Sequence, residues 1–294
     1  MHRNRKQIRS TIIGFTSILM WATLALLTTL SGSVPPFQLT AICFTIAFFI
    51  GLALWLKQGG NFWHHLKLPS SVWILGIFGL FGYHFFYFIA LRNAPTIEAS
   101  LIAYLWPLLI VLFSALLPGE KLRWFHLVGA IAGFMGAALL VTKGESLTFN
   151  TQYTLGYLSA LVCALTWSSY SVLSRRFGSI PTDAVGGFCG VTAILAWVCH
   201  GLFEQTVWPV GQEWLAIICL GLGPIGLAFF TWDYGVKHGN IKVLGALSYA
   251  APLLSTMVLI AGGLAEASWS IVLACLLIIG GAILAAGDFW KKSA

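Results

Sequence analysis

Between Gly82 and Pro107 the chain reads GYHFFYFIALRNAPTIEASLIAYLWP, and this stretch gathers an imidazole at His84, phenols at Tyr83 and Tyr87, and an indole at Trp106. An imidazole can donate or accept a hydrogen bond near neutral pH, while phenol and indole join an apolar ring to a polar handle. Such a set suits a ligand with an aromatic or apolar body. A second polar run, Trp167-Ser168-Ser169-Tyr170, lies in otherwise apolar surroundings and adds an indole and the Ser168 hydroxyl. Pro107, directly after Trp106, together with Pro224 and Pro252, should bend helices and free carbonyls that need other partners.

The elements that position these groups are membrane helices. The stretch reads as the end of one helix, a turn at Arg92-Asn93-Ala94-Pro95, and the first half of the next. At about 1.5 Å of rise per residue, His84 before the turn and Trp106 after it both lie roughly 15 to 18 Å deep, and half of a hydrocarbon core is about 15 Å. An ionisable group at that depth is costly in lipid, which points to function; the competing reading is a core histidine bonded to a neighbouring helix. Singly, each aromatic is ordinary filling. As a cluster with inward donors they are better explained by a pocket. Thr96 and Glu98 read as a cap and first-turn carboxylate, and Asp233 and Asp288 as helix-end charges. Asp233, between Trp232 and Tyr234, has an inner gate as its alternative. His64 and His65 fall in a loop without further ligands at metal spacing, so neither metal nor cofactor is expected.

Composition settles the class. The chain is 59% hydrophobic and 9% charged, with mean hydropathy +0.88, where soluble domains carry about 25% charged residues. Its solvent must be lipid. The cysteines at 43, 163, 189, 199, 219 and 275 lie in or beside apolar runs with no CxxC pair, and read as buried structural thiols. A net charge of +7 comes from short basic clusters between apolar runs, which serves membrane topology rather than nucleic-acid binding. The basic head MHRNRKQIRS leads into an apolar run without an A-x-A cleavage site, so it reads as an uncleaved first helix.

Apolar runs at 11–30, 37–56, 71–91, 97–117, 124–142, 153–174, 184–203, 213–236, 243–264 and 269–288 give ten spans, each of a length to cross a bilayer. With the N-terminus inside, fourteen of the sixteen Lys and Arg fall in inside segments, Lys291 and Lys292 among them, leaving Arg92 and Lys143 outside. Ala90–Val141 laid over Gly235–Ala286 pairs Arg92 with Lys237, Pro107 with Pro252, Trp124 with Trp269 and Gly136 with Gly281; Glu120 meets Glu266 after a one-residue slip. Further upstream Gly14 matches Gly156 and Trp21 matches Trp167. Five helices used twice must enter the membrane from opposite sides, and inverted repeats hold their solute near the midplane where the halves meet. The expected fold is an all-α integral membrane protein of ten transmembrane helices in two inverted five-helix repeats, residues 1–145 and 146–294. Both termini would be cytoplasmic. The counterparts of His84 and Trp106 are Phe229 and Ala251, so the pocket should be unequal in its two halves. Gly129 with Gly133, Ala99 with Ala103, and the stripe Gly76, Gly79, Gly82 should bring backbones close.

Enzymatic signatures are missing: no HExxH, P-loop, Gly-x-Ser-x-Gly or paired deep carboxylates occur. No Lys or Arg inside the bundle would pair a phosphate, and no buried acid would pair a lipophilic cation, so the cargo is neutral or zwitterionic. The inverted repeat, the PTIEAS start of the fourth helix, the YLWP segment and the Pro-Gly-Glu loop at 118–120 resemble the drug/metabolite transporter superfamily in its EamA branch. The run from Tyr83 to Pro107, with ALTWSS at 164–169, resembles the YddG-type aromatic amino acid exporters of bacterial inner membranes. The resemblance implies export of aromatic and other apolar amino acids, by a monomer, with His84, Trp106 and Trp167 lining the cavity, Tyr83 and Tyr87 nearby, and a multi-pass inner-membrane location. Broad drug or metabolite efflux is the alternative, followed by a membrane enzyme or lipid-handling protein.

Overall fold

A computed structural model describes residues 2–59, 62–146, 149–263 and 268–287. Glu266, Asp288, Lys291 and Lys292 lie outside the described residues. The described chain is helical without a strand, as lipid requires of an open chain, because a helix satisfies its own backbone. Among the described residues, nine segments are long and apolar enough to cross a membrane: α1 (Arg5–Leu30), α2 (Pro36–Gln58), α3 (Ser70–Asn93), α4 (Thr96–Ser114), α5 (Trp124–Thr142), α6 (Thr151–Arg176), α7 (Ala184–Phe203), α8 (Gln212–His238) and α9 (Ile241–Ala261). A shorter apolar helix of 17 residues, α10 (Trp269–Ala285), follows.

Successive segments run antiparallel. The Asn240 amide before α9 donates to Thr11 Oγ1 near the start of α1 at 2.9 Å, and the first amides of α2 bond Glu204 beyond the end of α7. The face at which α1 begins is termed proximal and the opposite one distal. Large side chains such as Ile74, Leu116, Leu202 and Leu276 stand exposed along the bundle's outside, where lipid would cover them. Exposed tryptophans mark the ends: Trp63 and Trp124 at the proximal face, Trp208, Trp214 and Trp269 at the distal one.

Helices α1 and α8 pack together, as do α3 and α6, α2 and α7, α4 and α9, and α5 and α10. Small residues permit the closest of these. A Cβ on Gly14 would lie 2.9 Å from the Gly235 Cα, and one on Gly129 would strike the Gly281 carbonyl. The stripe at Gly76 and Gly79 works differently from the expectation: it admits the rings of Phe188 and Tyr170, not another backbone. Rings fit there because the facing helices carry aromatics at those heights. Of the cysteines, Cys43, Cys163, Cys189 and Cys199 are buried, but Cys219 is exposed on the outside and Cys275 half-buried, correcting the uniform reading.

Five interruptions break the helices among the described residues: in α1 the helix pauses after Trp21 and resumes at Leu24. In α3 a π-turn spans Phe78–Gly82, and in α8 another spans Gly223–Leu227, with Pro224 inside it. In α4 the helix pauses after Ala103 and resumes at Trp106, placing Pro107 in a first turn, where its missing N–H costs nothing. In α9 it pauses after Leu247 and resumes at Ala250, with Pro252 again in the first turn. The expected Thr96 cap is not made. Pro95 occupies the cap position without a side-chain bond, and Glu98, itself buried, accepts from the Tyr157 hydroxyl at 2.8 Å instead.

The charges at the proximal face are more than topological markers. Glu120 pairs with Arg175 at 3.0 Å and with Lys242 at 2.9 Å, and Arg175 also donates to the carbonyls of Val236 and Gly239. Asp233 is fully buried, against the expectation of no buried acid, but it is neutralised by Lys237 at 2.8 Å and accepts from Thr182, and His65 lies 3.1 Å from Asp183. At the distal face Glu204, its side chain buried, accepts from the Phe37 and Gln38 amides and meets Arg92 and His200. Its charge sits on the N-terminus of α2, where a helix dipole favours an anion.

Candidate functional site

The residues singled out in the sequence meet near mid-length of their helices, in a cluster of aromatic rings. Trp106, at the restart of α4, lies edge-on to Trp167 of α6 at 6.4 Å between centroids. Both are buried, at 7% and 3% exposure. Trp21 from α1 joins them as the hub, 6.0 Å from Trp106, 5.8 Å from Trp167 and 5.1 Å from Trp232 of α8. Phe229, one helical turn from Trp232, touches Trp167 and Trp21 and stacks on Phe44 of α2 at 5.5 Å. Edge-to-face contacts of this kind add about 0.5–1.5 kcal/mol per pair beyond area burial. The cluster is therefore a stiff wall and not loose filling.

His84 borders this wall, edge-on to Phe44 at 5.1 Å and 6.3 Å from Phe229. Its Nδ1 lies 2.8 Å from the Leu80 carbonyl, one turn back in the π-turn region. A carbonyl only accepts, so Nδ1 carries the proton in that bond and a neutral ring keeps Nε2 as an acceptor. Tyr83 sits over Trp167 at 5.7 Å and stacks on Tyr87 at 6.0 Å. Tyr87 thus shares its face with Tyr83 rather than with His84: residues four apart are about 40° apart around a helix, those three apart about 60°. The Tyr87 hydroxyl is 3.5 Å from Ser100 Oγ. Ser168 is fully buried with its hydroxyl turned back onto the Ala164 and Leu165 carbonyls, so that donor is committed to its own helix.

The four indoles differ in what their N–H groups do. Trp21 donates to the Pro224 carbonyl at 3.0 Å and Trp232 to Ser171 Oγ at 3.0 Å. Among the described residues, Trp106 and Trp167 have no hydrogen-bond partner for theirs. An aromatic wall carrying two open N–H donors and a neutral imidazole acceptor can hold a ring by stacking, accept from an ammonium and donate to a carboxylate.

Trp21 and Trp232 were not singled out as site residues in the sequence. Trp21 carried a signal, as the repeat counterpart of Trp167. Trp232 showed only as the neighbour of Asp233, which lies outside the cluster in the proximal ion pairs.

A model of the EamA-like transporter family matches the chain twice, over residues 9–142 and 154–287. The aromatic amino acid exporter YddG of Ancylobacter novellus is 55% identical over 277 residues, covering 94% of this chain and 96% of that one. The Escherichia coli protein of the same name is 24% identical, again over 94% of this chain and 96% of the relative. A solved chain described as a crystal structure of protein superimposes with a TM-score of 0.90 at 55% identity, covering 94% of this chain and 97% of its own. The resemblance read from the hairpin at 82–107 is borne out.

Proposed function

From the premise that the chain belongs to the EamA-like transporter family, we propose that it exports aromatic and other apolar amino acids across a bacterial inner membrane by alternating access. The observation that carries the reading is the mid-bundle aromatic wall with open donors at Trp106 and Trp167 and an acceptor at His84. Such a wall matches a zwitterion whose side chain is a ring. Phe44, Phe229 and Trp21 complete it, with Tyr83 and Tyr87 beside it.

Ten helices in two inverted repeats, residues 1–145 and 146–294, form the scaffold. The packing pattern supports this: exchanging the halves turns the α1–α8 contact into α6–α3 and maps α2–α7, α4–α9 and α5–α10 onto themselves. Counterparts also meet at the cluster, Trp21 with Trp167 at 5.8 Å and His84 with Phe229 at 6.3 Å, as residues beside a two-fold axis must. Exposed Trp124 and Trp269, one position in the repeat, mark opposite faces. The proximal face is cytoplasmic, since the described Lys and Arg concentrate there, and the chain works as a monomer without cofactor.

Proteoliposomes holding the purified protein and preloaded with labelled phenylalanine test the reading. Efflux should exceed that of protein-free vesicles and be competed by tyrosine and tryptophan; equal rates would remove the proposal.

A further inference from the structure

The two π-turns occupy the same place in the two halves. Phe78–Gly82 and Gly223–Leu227 lie 145 positions apart at both ends, the offset that superposes the sequence repeats. A π-turn inserts one residue into a helix, loosens its pairing and bends it, and is frequent at working sites. In α8 the extra residue makes the Ala228 amide reach back five positions to the Gly223 carbonyl, and Pro224 has no amide of its own to offer.

Each turn is held by a ring N–H from the aromatic cluster, and the two holds are unlike. In α3 the donor is local: His84 bonds Leu80 on its own helix. In α8 the donor comes from the other half of the chain: Trp21 of α1 bonds the Pro224 carbonyl at 3.0 Å. The Trp21 ring also touches Trp106, Trp167, Phe229 and Trp232. A solute that pushes into this wall displaces Trp21, and Trp21 cannot turn without releasing Pro224. We propose that Trp21 is a positioning residue whose N–H latches the α8 π-turn, so that occupancy of the aromatic site frees α8 to bend while α3 stays locally fixed. The latch deepens the carrier reading above, on which its transport arm rests. Conformational steps often set turnover, and a donor that holds the turn and not the solute acts on that step.

The test is Trp21→Phe, which keeps an aromatic ring and removes the donor, with the full chain in lipid nanodiscs and proteoliposomes. Without solute, hydrogen exchange of amides 223–231 should rise about tenfold over wild type, as loss of one hydrogen bond of about 1.4 kcal/mol implies, while 78–86 stays unchanged. For labelled phenylalanine, kcat should fall severalfold with KM within twofold. Trp106→Phe, which touches the same ring but not the turn, should leave exchange at 223–231 as in wild type. His84→Phe should loosen 78–86 alone, and it answers the case in which Trp21→Phe does not fold. Unchanged exchange at 223–231 in Trp21→Phe, or an equal rise in Trp106→Phe, overturns the latch. A raised KM with unchanged kcat would leave Trp21 as a wall residue only and likewise overturn the latch. If wild type moves no phenylalanine, the carrier reading fails by itself, and the solute-free exchange still decides the latch.

Discussion

His84 uses one ring nitrogen on its own helix, and that fixes what the other can do. With Nδ1 donating to Leu80 at 2.8 Å, a neutral ring offers Nε2 as an acceptor. Glutamine places an amide oxygen near Nε2, whereas asparagine reaches only as far as Nδ1. His84→Gln should therefore keep several times more phenylalanine efflux than His84→Asn, and equal activities would show that the acceptor is not used. Trp106→Ala should raise the KM for labelled phenylalanine about three- to tenfold, the loss of one or two ring contacts, with the protein still monodisperse. His84, Trp106 and Trp167 were legible because an ionisable or polar aromatic group at mid-depth has few structural uses. Ser168 was legible only as a hydroxyl; which way it turned depended on the second lone pairs of the carbonyls of its own helix. Trp232 was hidden because one indole among thirteen carries no mark of what faces it.

Whole helices were easier to read than their irregularities. The spans follow from length and hydropathy, and the pauses in α4 and α9 follow from Pro107 and Pro252, but a π-turn adds one residue to an already apolar run and leaves no period to detect. Gly76 and Gly79 advertised a close contact without saying that rings would fill it. Glu204 was invisible in the sequence as a helix anchor, since its partners at 37, 38, 92 and 200 are scattered along the chain. Glu204→Gln should remove charge-assisted bonds of about 1.5–3 kcal/mol and lower the melting temperature in detergent. The α5–α10 seam should be at least as sensitive: Gly129→Val forces a side chain into the Gly281 carbonyl, and overpacking costs about 1–3 kcal/mol. A melting curve identical to wild type would place that seam elsewhere.

Across the whole molecule, buried charge is distributed unevenly. The proximal face joins Glu120 with Arg175 and Lys242, and Asp233 with Lys237, whereas the positions of Asp233 and Lys242 in the first repeat hold Phe88 and Ile97. Glu120→Gln leaves two cations facing one another without their carboxylate. Breaking a buried pair costs about 3 kcal/mol at the lower end, which suits the partial exposure of Glu120. Glu120→Gln with Lys242→Met should be the milder change, and a melting series of single and double variants measures the difference. The exposed indoles at the helix ends have a further consequence. Trp124 and Trp269 start α5 and α10 at opposite faces of the bundle, where indoles favour the headgroup layer, and glycine-to-carbonyl contact keeps those helices from sliding. With 19 and 17 residues, the seam is roughly 26 to 28 Å long. That length acts as a built-in gauge of acyl-chain thickness: turnover should peak in lipids whose hydrocarbon layer matches it and decline in both thinner and thicker bilayers.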